Sequence, residues 1–291
     1  MIWWGPPLLI LFFLSCKGGT EKALLPPSNG KVGSLLIVMD SVLWKKQLGR
    51  AFHQSFSKVF PGTPRAEPYF SVSSVDPRLF NRTLRRRDKI MVVCASDSPL
   101  RGNQKGSAML KDEIKERIER DSLRSYIRLR DVYARGQLIW LWWGKEEVLA
   151  EEINKNAEAH IRSLEIWDRK ELRKRLFVSE QKKLQEVLSK RHDIAPRIPF
   201  GYEVAKEEDQ FVWLRSWSED VDRNIFWHTE DYRNRDVFSR LPSYRDSLTS
   251  RFLVDGQKSS LYVIHQPEMP FSTQIVDFHG HYGLEIRGLW K

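Results

Sequence analysis

Apolar positions run along this chain in two rhythms, and the rhythm changes near residue 190. Ser34 to Met39 (SLLIVM) is a continuous apolar run of strand length. Asp40 and Ser41 follow with side-chain oxygens suited to cap the first amides of a helix. Trp44, Leu48, Phe52 and Phe56 recur every four residues, a spacing that lays one apolar stripe along a helix. Gly49 inside that stretch weakens it. Pro61, Pro64 and Pro68 force an extended passage. Tyr69 to Val75 reads as a second strand and Pro77 to Leu84 as a short helix. Lys89 to Ala95 is apolar without alternation, as expected of a strand covered on both faces. Residues 97–108 read as a loop, and Lys111 to Leu123 as an exposed helix with Ile114 and Ile118 on its inner side. Tyr126 to Val132 and Gln137 to Trp143 read as two strands separated at Gly136. Glu146 to about Leu176 is the longest helical pattern, with Leu149, Ile153, Ala157, Ile161, Leu164 and Trp167 on one face. Ser179 to Lys190 continues it.

Beyond His192, Pro196 and Pro199 mark a linker. Short aromatic and β-branched runs then dominate: Gly201 to Ala205, Gln210 to Trp217, Asn224 to His228, Leu261 to His265, Thr273 to Phe278 and Tyr282 to Trp290. One helix is predicted at Ser243 to Phe252. The pattern predicts an α+β fold with mixed and antiparallel sheets and packed helices, helix-rich in its N-terminal half and strand-rich in its C-terminal half. The expected divisions are 1–15, 16–30, 31–190 and 191–291.

The first of these segments carries the strongest local signal. Leu8 to Leu14 is an apolar block long enough for the core of a signal peptide and too short for a bilayer span, which takes about 20 residues. Ser15 supplies the small residue wanted before a cleavage point, and Phe13-Leu14-Ser15-Cys16 resembles a lipobox, although no Lys or Arg precedes the apolar block. Residues 1–15 are therefore expected to be a signal peptide and Cys16 to be the site of lipidation. Lys17 to Gly30 is rich in Gly, Pro and Ser, as a tether would be. The expected partner is then a membrane, reached through lipid on Cys16, and the expected location is a bacterial cell envelope. Lys17-Gly18-Gly19 lacks an adjacent acidic pair, which favours the periplasmic side of an outer membrane.

Composition narrows the partners further. The net charge of +10 favours an acidic partner such as an anionic envelope glycan or a protein. The densest basic run, Arg85-Arg86-Arg87, is three residues long and no nucleic-acid reading motif accompanies it, so nucleic acid is not an expected partner. Of the two cysteines, lipid on Cys16 leaves Cys94 alone at the end of an apolar run, where it reads as a core residue.

Motifs with chemistry are scarce. There is no Gly-x-Ser-x-Gly elbow, no His-Glu-x-x-His, no Gly-rich phosphate loop and no Cys-x-x-Cys, so no cofactor, metal or catalytic set is assigned. Asp277, His279 and His281 alternate and could share a strand face as metal ligands. A hairpin turn at His279-Gly280 would splay them, and that reading is preferred. Trp140 and Trp142 face the same way in one strand, and Trp213 and Trp217 repeat the theme. Paired indoles fill a core or stack on sugars. Core is the preferred reading for the first pair, and Trp140, Trp142, Trp213, Arg215 and Arg287 are kept as candidate ligand-binding residues.

Several short segments occur in a fixed order: the Cys16 signal with its tether, the Trp44 helix, Pro61-Gly62-Thr63-Pro64 leading to Glu67-Pro68, Ile198-Pro199-Phe200-Gly201-Tyr202, Phe211-Val212-Trp213-Leu214-Arg215, Arg245-Asp246-Ser247 and Glu285-Ile286-Arg287-Gly288-Leu289-Trp290. In that order they resemble a family of Bacteroidetes lipoproteins described as domain of unknown function 4837, over nearly the whole chain after Cys16. The resemblance implies an extracytoplasmic α+β lipoprotein with no assigned activity. It also implies more chain after the Gly-Leu-Trp segment, so Lys291 is expected to be a premature end. Glu67 and Glu285 match acids of the family and are expected to be buried acids paired to an arginine such as Arg215 or Arg287. The function expected is a non-enzymatic envelope lipoprotein that binds a partner or aids assembly. A glycan- or peptidoglycan-binding module is the alternative, and a hydrolase of envelope polymers stands third.

Overall fold

The computed structural model describes residues 25–60, 65–121, 123–219, 221–231, 240–253, 263–266, 268–269 and 271–290. The signal block, Cys16, the first part of the tether, the Pro61 to Pro64 motif and Leu261-Tyr262 lie outside the described residues. The chain is α+β, helix-rich first and strand-rich after, and it divides into two compact units. One comprises residues 1–55 and 71–157, the other residues 56–70 and 158–291.

The first unit is built on a five-stranded sheet, in the order β2-β1-β3-β5-β4. Its strands are β1 (Ser34–Val38), β2 (Ser71–Val75), β3 (Lys89–Ala95), β4 (Tyr126–Arg130) and β5 (Leu138–Gly144). All neighbours are parallel except β4, which runs antiparallel to β5. Every residue of β3 is buried, which explains its unbroken apolar run: a parallel strand covered on both faces has no polar side. On one face Leu36, Val38, Ile90, Val92, Cys94, Ile139 and Leu141 pack with Phe80 and Leu110. On the other, Trp140 and Trp142 stack against Tyr126, and Phe52 meets Trp142 edge-on at 5.1 Å.

Helix α1 (Ser41–Lys45) is capped by Asp40, whose Oδ1 accepts the Val42 amide at 2.8 Å, and α2 (Gln47–Phe56) follows after a break at Lys46. The Trp44 stripe therefore spans two helices. The break brings the Trp44 backbone so close to Gly49 that a Cβ there would lie 2.0 Å from the Trp44 carbonyl oxygen. Gly49 is what permits the step between the helices. Pro77 to Leu84, expected to be one helix, instead forms separate 3-10 turns at Pro77–Leu79 and Leu84–Arg86.

Residues 97–108, expected to be a loop, contain α3 (Arg101–Ser107). Its inner face is Gly102, Asn103 and Gly106, so close packing of small residues replaces the apolar stripe that sequence reading looks for. Helices α4 (Asp112–Arg120) and α5 (Glu146–Lys155) complete the unit.

In the second unit, α6 (Ala157–Leu176) begins after a break at Asn156, and α7 (Lys182–His192) ends at Asp193 in the left-handed region. A three-stranded antiparallel sheet, β6 (Glu203–Glu208), β7 (Phe211–Ser216) and β8 (Arg223–His228), meets a helix on each face of its central strand. Val212 and Leu214 pack on Leu184 and Leu188 of α7, while Phe211 stacks at 4.0 Å on Phe252 of α8 (Leu241–Phe252). The remaining strands, β9 (Ser272–Phe278) and β10 (His281–Arg287), form a hairpin. His279 and Gly280 make its turn, both at positive φ (56° and 85°), the geometry of a two-residue turn that follows strand twist. Asp277 accepts the Gly280 amide at 2.6 Å. His279 thus stands in the turn, with Asp277 and His281 on the two strands that it joins, and among the described residues no group of three His, Cys, Asp or Glu is placed to hold a metal. No described helix is long and apolar enough to cross a membrane.

Candidate functional site

The hairpin places Glu285 and Arg287 two residues apart on one face of β10, opposite Gln274 and Ser272 of β9. Helix α6 supplies Glu158, Ile161, Arg162 and Glu165, which share one helical face because they stand at i, i+3, i+4 and i+7. The segment 58–60 runs beside Tyr69, held by the Tyr69 amide on the Lys58 carbonyl at 2.9 Å and the Phe60 amide on the Glu67 carbonyl at 2.7 Å. These three pieces of the second unit enclose a cavity of about 470 Å³. Phe60 and Tyr69 meet edge-on at 5.1 Å in its wall.

Arg287 organises the charges. Its Nε donates to Glu285, one terminal nitrogen lies 3.7 Å from Glu165, and its guanidinium sits over the Phe60 ring at 6.0 Å. Glu285 also accepts from Gln274 at 2.9 Å, with Arg169 at 3.9 Å. Lys58 and Glu158 close one side as an exposed pair at 3.2 Å. Burial raises the Glu165 carboxyl above its ordinary range; Arg169 works against that and the Glu285 charge adds to it. Burial raises the Tyr69 phenol, and the charge of Glu165 raises it further. Three cations and three carboxylates line the space. It therefore offers both donors and acceptors beside aromatic faces and does not select strongly for net charge. Two carboxylates on one guanidinium, one held toward its neutral form, can also act as an acid and base pair.

The other residues singled out in the sequence are not gathered here. Trp140 and Trp142 are fully enclosed in the core of the first unit and offer no surface to a ligand. Trp213 and Arg215 share a half-exposed face of β7, where Trp213 donates to Asn224 at 2.9 Å and Arg215 forks onto Asp222 at 3.0 Å. Glu285 is paired to Arg287 as expected, but it is half-buried rather than buried. Glu67 is exposed and is not a buried acid. Cys94 is buried, and burial pushes its thiol up to about 12. Arg245-Asp246-Ser247 and Leu289-Trp290, far apart in sequence, meet in space. The Arg245 guanidinium lies 3.6 Å from the Trp290 ring centre, and Asp246 accepts both the backbone amide (2.9 Å) and Nδ1 (2.5 Å) of His265.

A second set was not visible in the sequence. Beyond the carboxyl ends of β1 and β3, where the strand order switches side and open α/β sheets place ligands, lie Asp40, Asp76 and Asn103. Asp40 accepts from Val42 and Asn103 amides, and Asp76 from the Ser41 amide and from Arg78. Asn103 in turn clamps Ala95 through its amide (2.8 Å) and carbonyl (2.7 Å). Every carboxylate oxygen is engaged, so this crevice is a lock between strands and helices rather than an open site.

Residues 28–177, just over half of the chain, match the family described as Domain of unknown function (DUF8532). Residues 180–291 match the family described as Domain of unknown function (DUF4837). The resemblance expected over nearly the whole chain thus holds for its C-terminal part, and the N-terminal part matches a different description. No curated protein and no solved structure matches the chain.

Proposed function

The chain belongs to the family described as Domain of unknown function (DUF8532), and we propose that it is a lipid-anchored envelope protein that binds a glycan in the Arg287 cavity. The observation that carries the reading is the lining itself: two aromatic rings beside planar Arg, Glu and Gln groups, with positive and negative charges in balance. Sugar rings present apolar faces and a rim of hydroxyls that both donate and accept, which such a wall satisfies. The anchor rests on the apolar block, Ser15 and Cys16, with a Gly- and Pro-containing tether behind them. It would hold the cavity near an envelope surface without fixing its orientation.

Two experiments test the two halves separately. Palmitate labelling of cells should mark the wild type and not Cys16→Ala; equal labelling overturns the anchor. Calorimetric titration with soluble peptidoglycan fragments should give heat with the wild type and lose it in Arg287→Gln. Binding that survives that substitution, or that disappears instead with Trp213→Ala, places the ligand elsewhere.

A hydrolase reading is favoured by one observation, the Glu165 and Glu285 pair on Arg287. It requires turnover of an envelope polysaccharide that Glu165→Gln abolishes while binding persists.

A further inference from the structure

The first unit carries a second cavity, of about 600 Å³, lined by Arg82, Arg85 and Arg86 together with Tyr133, Asn29 and Pro26. No carboxylate lines it. Among the described residues none of these three arginines forms an ion pair, although 38 acidic residues are present in the chain. Arg85 is held against two rings, its guanidinium 5.2 Å from the centre of the Tyr133 ring and 5.7 Å from that of Phe80, and its buried Nε has no hydrogen-bond partner.

The arrangement is built rather than incidental. The fully buried Gln137 donates to the carbonyls of Arg85 and Arg87, both at 2.6 Å, and accepts the Tyr133 amide at 2.9 Å, fixing the arginine turn to the aromatic loop. Asn81 caps the same turn by accepting the Thr83 and Leu84 amides. A strap closes the third side: the Pro26 carbonyl accepts the Arg135 amide at 2.8 Å, and the Asn29 amide donates to the Arg86 carbonyl at 2.7 Å. Arg86 donates one terminal nitrogen to the Pro27 carbonyl at 3.3 Å and has no carboxylate partner. Arginines without a carboxylate partner are the chemistry that recognises a phosphoryl group, since a guanidinium offers paired N–H donors to two oxygens.

We propose that this cavity binds a phosphate monoester carried on a lipid headgroup. The lipid source, rather than a soluble one, is argued from the strap. Leu25 lines the cavity and stands nine residues after Cys16. A chain of that length reaches at most about 30 Å, so a lipid on Cys16 would keep the arginines at or near the bilayer, where their attraction to acidic headgroups acts over about 10 Å. That source rests on the anchor proposed above; the phosphate chemistry does not.

The test uses full-length Cys16→Ser, which cannot be lipidated, so that failure of the anchor and failure of this site are read apart. Flotation should show binding to phosphatidylcholine vesicles containing phosphatidic acid and none to phosphatidylcholine alone. Soluble glycerol 3-phosphate should compete. Arg82→Gln and Arg86→Gln, at exposed positions that leave the Arg85 packing intact, should each weaken vesicle binding about fivefold, whereas Arg173→Gln with Lys174→Gln on α6 should not. If the α6 variant weakens binding as much, general positive charge is responsible and the site is overturned. If glycerol 3-phosphate binds but vesicles do not, the lipid source is overturned. If neither binds, the phosphate site itself falls.

Discussion

Gly102→Ala tests the lock at the top of the sheet. An ideal Cβ at this position would sit 2.4 Å from Asp40 Oδ2 and 2.8 and 2.9 Å from the two Asp76 oxygens. Neither carboxylate can withdraw, because Asp40 is 3% and Asp76 8% exposed and each is tied to backbone amides. Forcing a methyl into such a space costs about 1–3 kcal/mol, and each amide-to-carboxylate bond it breaks about 1.5–3 kcal/mol more. Alanine returns about 1 kcal/mol of helix propensity to α3. With one bond broken, the net loss is about 1.5–5 kcal/mol. Urea unfolding followed by tryptophan fluorescence should show a lower midpoint at an unchanged slope. Lys105→Ala, on the exposed side of the same helix, should change stability by no more than about 0.5 kcal/mol. A Gly102→Ala protein as stable as the wild type would refute the reasoning.

Other substitutions probe different links. The Arg78 side chain, against a smaller opposing effect of burial, holds the Asp76 carboxyl well below its ordinary 3.8. The stability it contributes is therefore complete above that value and is lost as pH falls below it; Asp76→Asn should be destabilised at neutral pH and show a flatter acid limb in thermal melts. Glu165 has the opposite sign. Its carboxyl is raised from 4.5 mainly by burial, so its contribution is best below that value and declines as pH rises. Glu165→Gln should gain stability at pH 7 relative to pH 4, and an equal effect at both would contradict the shift. In the Cys16→Ser chain Cys94 is the remaining cysteine, and with its thiol pushed up to about 12 it should resist a thiol reagent until urea unfolds the protein; rapid labelling of the folded chain would show it exposed. Gly49→Ala should cost about 1–3 kcal/mol by driving a methyl into the Trp44 backbone, read as a lower thermal midpoint.

Local signals in the sequence determined much of this protein. The unbroken apolar run of Ile90 to Ala95 announced a strand covered on both sides. The aspartate after β1 announced its cap, and His279-Gly280 a two-residue turn, because each is settled by a few neighbouring residues. Tertiary structure decided what depends on distant partners. Helix α3 was invisible because its inner face is glycine and asparagine, and only the Asp40 and Asp76 carboxylates that fill the space above Gly102 explain it. Arg287 could be singled out in the sequence, but Glu165 could not, since nothing local distinguishes it from the other acids of α6 until the hairpin brings an arginine to it. The same holds for Trp140 and Trp142: alternation puts them on one face of a strand, and only Phe52 and Tyr126 packing over that face decide that the face is core. Short-range geometry is written in neighbouring residues, whereas burial and charge pairing are properties of space that the fold alone assigns.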